Sequence, residues 1–323
     1  MIAQLNTMLS CIINFPIKRI IILFMLFTQN SYSQQNYLFD HIGFETGLPD
    51  LFTPIDLVQD HLGFLWITSF NSLIKYDGYS MKIYHNIKDP TANNSLFIDR
   101  DSILWVGTSN GLSMYQREKD TFINYDFYRE GFFIFDYRTR TIQEDKNGLL
   151  WICSYYSGLY SFDKNTKEVK AYKHDKENPN SISTDTLNGI VIDDNNKLWI
   201  NTVSNGIEKF DIDSKQFTHY TFNEKDSNSI GSNYTRTMYK EKSGNILIVL
   251  DNNRFDELNP ETGQFNHFRL DTESEMSAIY KDEYGFLWIA SGLSGNGITL
   301  FDKNRKVYSY IKHDPLDTIS LKE

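Results

Sequence analysis

All five tryptophans of the chain fall in one local pattern: Gly63-Phe64-Leu65-Trp66-Ile67, Ser102-Ile103-Leu104-Trp105-Val106, Gly148-Leu149-Leu150-Trp151-Ile152, Asn196-Lys197-Leu198-Trp199-Ile200 and Gly285-Phe286-Leu287-Trp288-Ile289. A sixth copy, Gly244-Asn245-Ile246-Leu247-Ile248, carries Leu where Trp is expected, and the spacings from position 66 to 288 are 39, 46, 48, 48 and 41 residues. Self-similarity at a period of about 40–50 residues is the mark of propeller blades. Each unit then buries its apolar faces only by stacking on its neighbours around an axis.

Each copy reads as four short strands. An apolar stretch such as Gly189-Ile190-Val191-Ile192 leads into a turn opened by Asp60, Asp145 or Asp282 with Gly three residues on. Asp can bond the turn backbone and Gly accepts positive φ. The Leu-Trp-Ile strand follows, and a second turn commonly ends in Gly111, Gly158, Gly206 or Gly297. A third strand such as Gly158-Leu159-Tyr160-Ser161-Phe162-Asp163 and an alternating fourth such as Phe217-Thr218-His219-Tyr220 complete the unit. The expected fold is all-β, a propeller of four-stranded blades with about six recognisable repeats centred on Trp66, Trp105, Trp151, Trp199, Leu247 and Trp288, its ring incomplete. The tryptophans are expected in the core.

Composition agrees. Trp, Tyr and Phe number 5, 20 and 23, whereas only five Ala occur (Ala3, Ala92, Ala171, Ala278, Ala290), the reverse of what helices favour. With 40% hydrophobic and 23% charged residues the chain can build a sizeable core, and its net charge of −10 argues against a basic nucleic-acid groove.

Near the start, Lys18-Arg19 precedes the apolar run Ile20 to Phe27 and the small-residue pattern Ser31-Tyr32-Ser33, which is a signal-peptide layout. Residues 1–33 are expected to be a leader and 34–323 the propeller domain. An uncleaved membrane anchor is the alternative, although the eight-residue run is well short of the roughly 20 residues of a spanning helix; Met8 as the true start, or Leu9 to Ile17 as part of the apolar segment, also stay open. With Cys11 in that leader, Cys153 has no cysteine to pair with, and a lone strand cysteine is expected to be a small buried hydrophobe.

Several segments resemble the two-component regulator propeller family, the extracytoplasmic sensor region of hybrid two-component histidine kinases in Bacteroidetes-type bacteria. They are Phe39-Asp40-His41-Ile42-Gly43 with Thr46-Gly47-Leu48-Pro49, Gln59-Asp60-His61-Leu62-Gly63-Phe64-Leu65-Trp66-Ile67-Thr68, Lys75-Tyr76-Asp77-Gly78-Tyr79, and linkers of the form His174-Asp175 to Asn178-Pro179-Asn180-Ser181-Ile182. The resemblance runs from about residue 37 to the end and implies a periplasmic location. Three departures stand out. The second copy is expected to lack much of its innermost strand before Phe97-Ile98-Asp99; Leu247 and Asn252-Asn253-Arg254 make the fifth copy look degraded; and Glu323 follows directly on a linker, His313-Asp314-Pro315 to Ser320-Leu321, that introduces a blade in the family. No phosphoacceptor segment, ATP lid or receiver domain is found, so the resemblance implies a truncated sensor.

If the strands run outward from the axis, the turns between second and third strands share a face with the linkers between blades. Candidate ligand-binding residues there are Phe70, Asn71, Asn110, Tyr155, Tyr156, Asn205, Asn252 and Asn296, since amides and rings recognise sugar hydroxyls and apolar sugar faces; Asn also simply makes good turns. Phe70, Tyr155 and Tyr156 stand out because exposed rings call for a reason. His85, His174, His219, His267 and His313 recur once per copy near the outer strand, so they are expected not to converge on a metal. No catalytic, metal or cofactor motif is found. The pairs Asp193-Asp194 and Asp282-Glu283 are expected to be solvated turn carboxylates.

Three functional classes follow. The leading expectation is a non-catalytic periplasmic sensor propeller taking a polysaccharide-derived ligand, with a homodimer or a separate sensor-kinase chain as partner, no nucleic acid, and membrane contact only through an uncleaved leader. The second is a carbohydrate-active propeller, hydrolase or lyase, which needs an acid pair on the inner strands. The third is a defective fragment whose open ring leaves a sheet edge exposed.

Overall fold

The computed structural model describes residues 54–69, 72–84, 95–108, 111–129, 132–133, 139–269, 276–291, 297–304 and 306–312; the segment expected to be a leader, the entry segment and the last linker lie outside them. Six four-stranded antiparallel sheets follow one another along the chain, each paired in strict sequence order, which makes the fold a six-bladed β-propeller. The innermost strands are Asp56–Gln59, Leu96–Ile98, Thr139–Glu144, Leu187–Ile192, Thr235–Lys240 and Met276–Lys281. Among the described residues the other regular elements are a 3₁₀ turn at Arg117–Lys119 and a two-stranded ribbon, Tyr128–Arg129 with Phe132–Phe133, between blades 2 and 3.

The core sits between blades. Trp66 of blade 1 packs against Tyr115 and Phe122 of blade 2, Trp105 against Phe162 of blade 3, and Trp151 against Phe210 of blade 4, with ring centroids 4.7–6.5 Å apart. Trp199 joins Leu258 and Phe265 of blade 5, and Leu247 joins Phe301 of blade 6. Trp66, Trp105, Trp151 and Trp199 are at most 1% exposed, while Trp288 of blade 6 is half-buried. Cys153 lies fully inside the blade 3/4 core as a free thiol, and burial raises its pKa well above the ordinary thiol value.

Blade 2 is complete but its innermost strand has only three residues, in line with the shortened sequence there. Blade 5 is intact despite its degraded look. At the start of its third strand Asn253, with φ 57°, takes the left-handed conformation that Gly206 adopts in blade 4 with φ 75°. Asn tolerates that region, and in blade 4 Gly is required for a second reason: a Cβ on Gly206 would meet the Tyr220 carbonyl oxygen at 2.2 Å.

The linkers strap onto the blade they introduce. Asn180 and Asn228 each accept the backbone N–H of an outer-strand residue, Phe217 at 2.9 Å and Phe265 at 3.2 Å. In the same two blades His219 pairs with buried Glu208 and faces the Pro179 carbonyl, while His267 pairs with buried Asp256 at 2.8 Å and faces the Ser227 carbonyl at 3.1 Å. These two histidines thus lock linkers to outer strands. His174 bonds the Ile182 carbonyl within its own linker, and His85 and His313 lie outside the described residues.

Candidate functional site

The two faces of the propeller differ in how their polar groups are used. On the face carrying the turns between first and second strands, each Asp holds its own turn and the Trp six residues on. Asp193 Oδ1 accepts the backbone N–H of Asn195 and Lys197, and Asp193 Oδ2 accepts the Trp199 indole N–H at 2.9 Å. The same arrangement joins Asp60 to Trp66, Asp99 to Trp105, Asp145 to Trp151 and Asp282 to Trp288. At Asp60 burial opposes ionisation, but hydrogen bonds from Trp66, Arg117 and the turn backbone hold the carboxyl below its ordinary range. Asp193 is thus buried, not solvated as expected from its place in a turn, and Asp282 is likewise committed to an indole. The reason is that the following strand carries the indole back over the turn.

Cations on this face tie neighbouring blades together. Lys164 reaches Asp99, Asp101 and Glu144; Arg117 reaches Asp60; Lys240 reaches Asp194; and Lys281 reaches Glu241. The three acids around Lys164 are close enough together to hold a cation, but the ammonium already lies within 3.1 Å of all three. These cations and the Asp carboxylates are committed to the fold, and a cavity of about 320 Å³ lies among the turns of blades 3 and 4 on the same face.

The innermost strands enclose space along the axis. A cavity of about 680 Å³ is lined by the innermost strands of blades 1, 2, 3 and 5, including Asp56, Ser95, Arg140, Gln143 and Thr237. A second of about 320 Å³ adjoins it along blades 3, 4 and 5, sharing Thr141, Gln143 and Thr237. Asp56 is the acid in this lining. Burial raises its pKa, against the pull of the Leu96 and Leu57 amides that bond its two oxygens. Ser95 Oγ is buried in the same lining without a hydrogen-bond partner.

At the mouth, the turn after the second strand of blade 3 carries Tyr155 and Tyr156, rings edge-to-face at 4.5 Å, with the Arg140 guanidinium 4.5 Å above Tyr155. Tyr156 is 51% exposed. Asn205 and Asn252 are occupied with their turns: Asn205 receives the Ser204 hydroxyl and donates its N–H to Thr202, and Asn252, with φ 55°, bonds Asp251. Phe70, Asn71, Asn110 and Asn296 lie outside the described residues. Sequence reasoning missed Arg140 and Ser95, because what marks them is a strand irregularity and a burial that appear only in the folded chain. No helix among the described residues is long and apolar enough to cross a membrane.

No family model matches the chain, and no curated protein matches it in sequence. Among solved structures it is similar to the extracellular domain described as that of the hybrid two component system BT3049 from B. thetaiotaomicron, at TM-score 0.70 and 24% identity over 88% of this chain and 38% of that one. The extracellular domain of the hybrid system BT4673 from the same organism gives TM-score 0.70 and 20% identity over 88% of this chain and 36% of that one. Virginiamycin B lyase from Staphylococcus aureus gives 0.64 and 17%, over 79% of this chain and 82% of the lyase. The chain thus spans little more than a third of the two extracellular domains, and what these likenesses establish is the propeller fold.

Proposed function

We propose that this chain is the recognition propeller of a bacterial two component sensor: exported, non-catalytic, and taking a polysaccharide-derived ligand on the face that bears Tyr155 and Tyr156. The likeness to two extracellular sensor domains over 88% of the chain carries the reading. It is supported by the division of labour between faces. Carboxylates of the first face are held by indoles and ammonium groups, whereas on the second the Tyr155 and Tyr156 rings and Arg140 stand at one end of the axial cavity, the composition expected of a recognition site. Signal output then rests with another polypeptide or domain. Titration calorimetry against a panel of oligosaccharides tests the reading; a folded sample that binds none of them overturns it.

An eliminative or hydrolytic activity is the competing reading, favoured by the likeness to a lyase over most of both chains. Against it, His219 and His267 are engaged at the outer strands, away from the axis, and Asp56 has both oxygens bonded by backbone amides. Glycan turnover lost on Asp56→Asn would favour the enzyme.

A further inference from the structure

Four of the six innermost strands carry a register shift at the same place. Pairing passes directly from Thr139 to Thr141, from Leu187 to Gly189, from Thr235 to Thr237 and from Met276 to Ala278, so Arg140, Asn188, Arg236 and Ser277 are the extra residues of four equivalent bulges. A bulge releases one residue from the ladder and re-aims its side chain. Here it does so at the start of strands that line the axis, on the face of the second-to-third turns. Arg140 and Arg236 are exposed.

Arg140 makes no ion pair among the described residues, in contrast to Arg117 and Lys164 on the other face. Its guanidinium is held over Tyr155 at 4.5 Å and lines the axial cavity together with the unpartnered, buried Ser95 hydroxyl. The acid in that lining, Asp56, is tied by two amides and has its pKa raised by burial. The Tyr155 and Tyr156 rings stand near Arg140, and Arg236 occupies the equivalent bulge of blade 5, with exposed Tyr234 two residues before it in sequence. A planar guanidinium stacked on a ring keeps its edge N–H groups available for bidentate contact with an oxyanion.

We propose that this mouth binds a saccharide bearing an anionic group, a carboxylate or a sulfate ester, with Arg140 and Arg236 receiving the charge and the tyrosines covering apolar sugar faces. The inference rests on the recognition reading above and narrows its ligand class. It accounts for two exposed arginines at equivalent bulges of inner strands in a chain whose net charge is −10.

The test is titration calorimetry of the full chain with tetragalacturonate, a sulfated carrageenan tetrasaccharide and neutral maltotetraose, alongside Arg140→Gln, Arg236→Gln and Arg140→Lys, each checked for an unchanged melting temperature. One or both acidic probes should bind, and more weakly as salt is added. Each Gln variant should lose at least about tenfold in affinity and the Lys variant less; which acidic probe binds tells carboxylate from sulfate. The proposal is overturned if acidic and neutral probes bind alike, or if both Gln variants bind the acidic probe as the parent does. Maltotetraose binding with no acidic binding overturns it and leaves the recognition reading standing. Binding of inorganic sulfate with the same Arg140 dependence, but of no saccharide, keeps the anion site and overturns the saccharide reading.

Discussion

The indole N–H of Trp199 points at Asp193 Oδ2 from 2.9 Å, and both groups are buried. An acid six residues ahead of an indole recurs in five blades; blade 5 departs at both ends of the bond, with Glu241 and Leu247. Glu241 instead accepts the Ser243 hydroxyl and the Lys281 ammonium, each within 3.0 Å. Turn and core are therefore one unit: the carboxylate that closes the turn also satisfies the one polar atom of the largest core side chain.

Trp199→Phe should cost about 2–3 kcal/mol in urea unfolding, because it removes ring volume and leaves a buried carboxylate oxygen without its donor. In blade 5 the reverse experiment applies. Leu247→Trp alone should destabilise, and adding Glu241→Asp should recover about 1 kcal/mol through the restored bond; a double-mutant cycle with no coupling would refute the pairing.

Lys164 and Lys82 give a paired comparison. Asp99 and Glu144 around Lys164 have side chains at most 4% exposed, so Lys164→Met should cost about 3 kcal/mol by stranding charge in a dry site. The Lys82–Asp120 pair is 55% and 41% exposed, and Lys82→Met should stay below about 1 kcal/mol. Equal losses in thermal or urea melts would contradict the burial argument.

How far the fold was legible in the sequence follows from what repeats. The Leu-Trp-Ile strand, the Asp-turn and the Gly-turn recur at a fixed period, so blades, strand order and buried tryptophans could be read directly. The six-residue Asp-to-Trp spacing was also in the sequence, yet turn chemistry alone explained Asp193 and hid its second role. Arg140 was not legible, because its exposure comes from a bulge, and alternation of residue types does not reveal where a ladder skips one residue. Asn205 and Asn252 illustrate the opposite limit: an amide in a turn looks the same in sequence whether it serves the turn or a ligand.

Cys153 should stay unreactive toward an aromatic disulfide reagent in the native protein and react at the rate of unfolding. Its thiol is fully buried and its pKa is raised by that burial, so little thiolate exists to attack. Modification much faster than unfolding, measured by rapid dilution into denaturant, would show that the blade 3/4 interface opens locally. Cys153→Ser should destabilise more than Cys153→Ala, since the hydroxyl would be buried in an apolar cluster.

His267 gives the chain a stability that depends on pH near neutrality. Both ring nitrogens face acceptors, Asp256 Oδ1 and the Ser227 carbonyl oxygen, so the geometry favours the doubly protonated imidazolium. Burial works against that charge, but the bonds to Asp256 and Ser227 outweigh it and raise the His267 pKa, with Arg254 a small opposing influence. Asp256, which also accepts the Gly231 N–H, has its pKa raised by burial. Both shifts are upward, so the folded state holds its protons more tightly than the unfolded chain. For His267 the stabilisation is complete below the unfolded imidazole value of about 6.5 and is lost as pH rises through its higher folded value. Urea midpoints measured from about pH 5 to about pH 9 should therefore fall across that window. His267→Gln should lower the midpoint most on the acidic side and flatten the slope, so the difference between parent and variant is the quantity to read. A difference that does not change with pH would mean that His267 is neutral in the fold and that its contribution is packing alone.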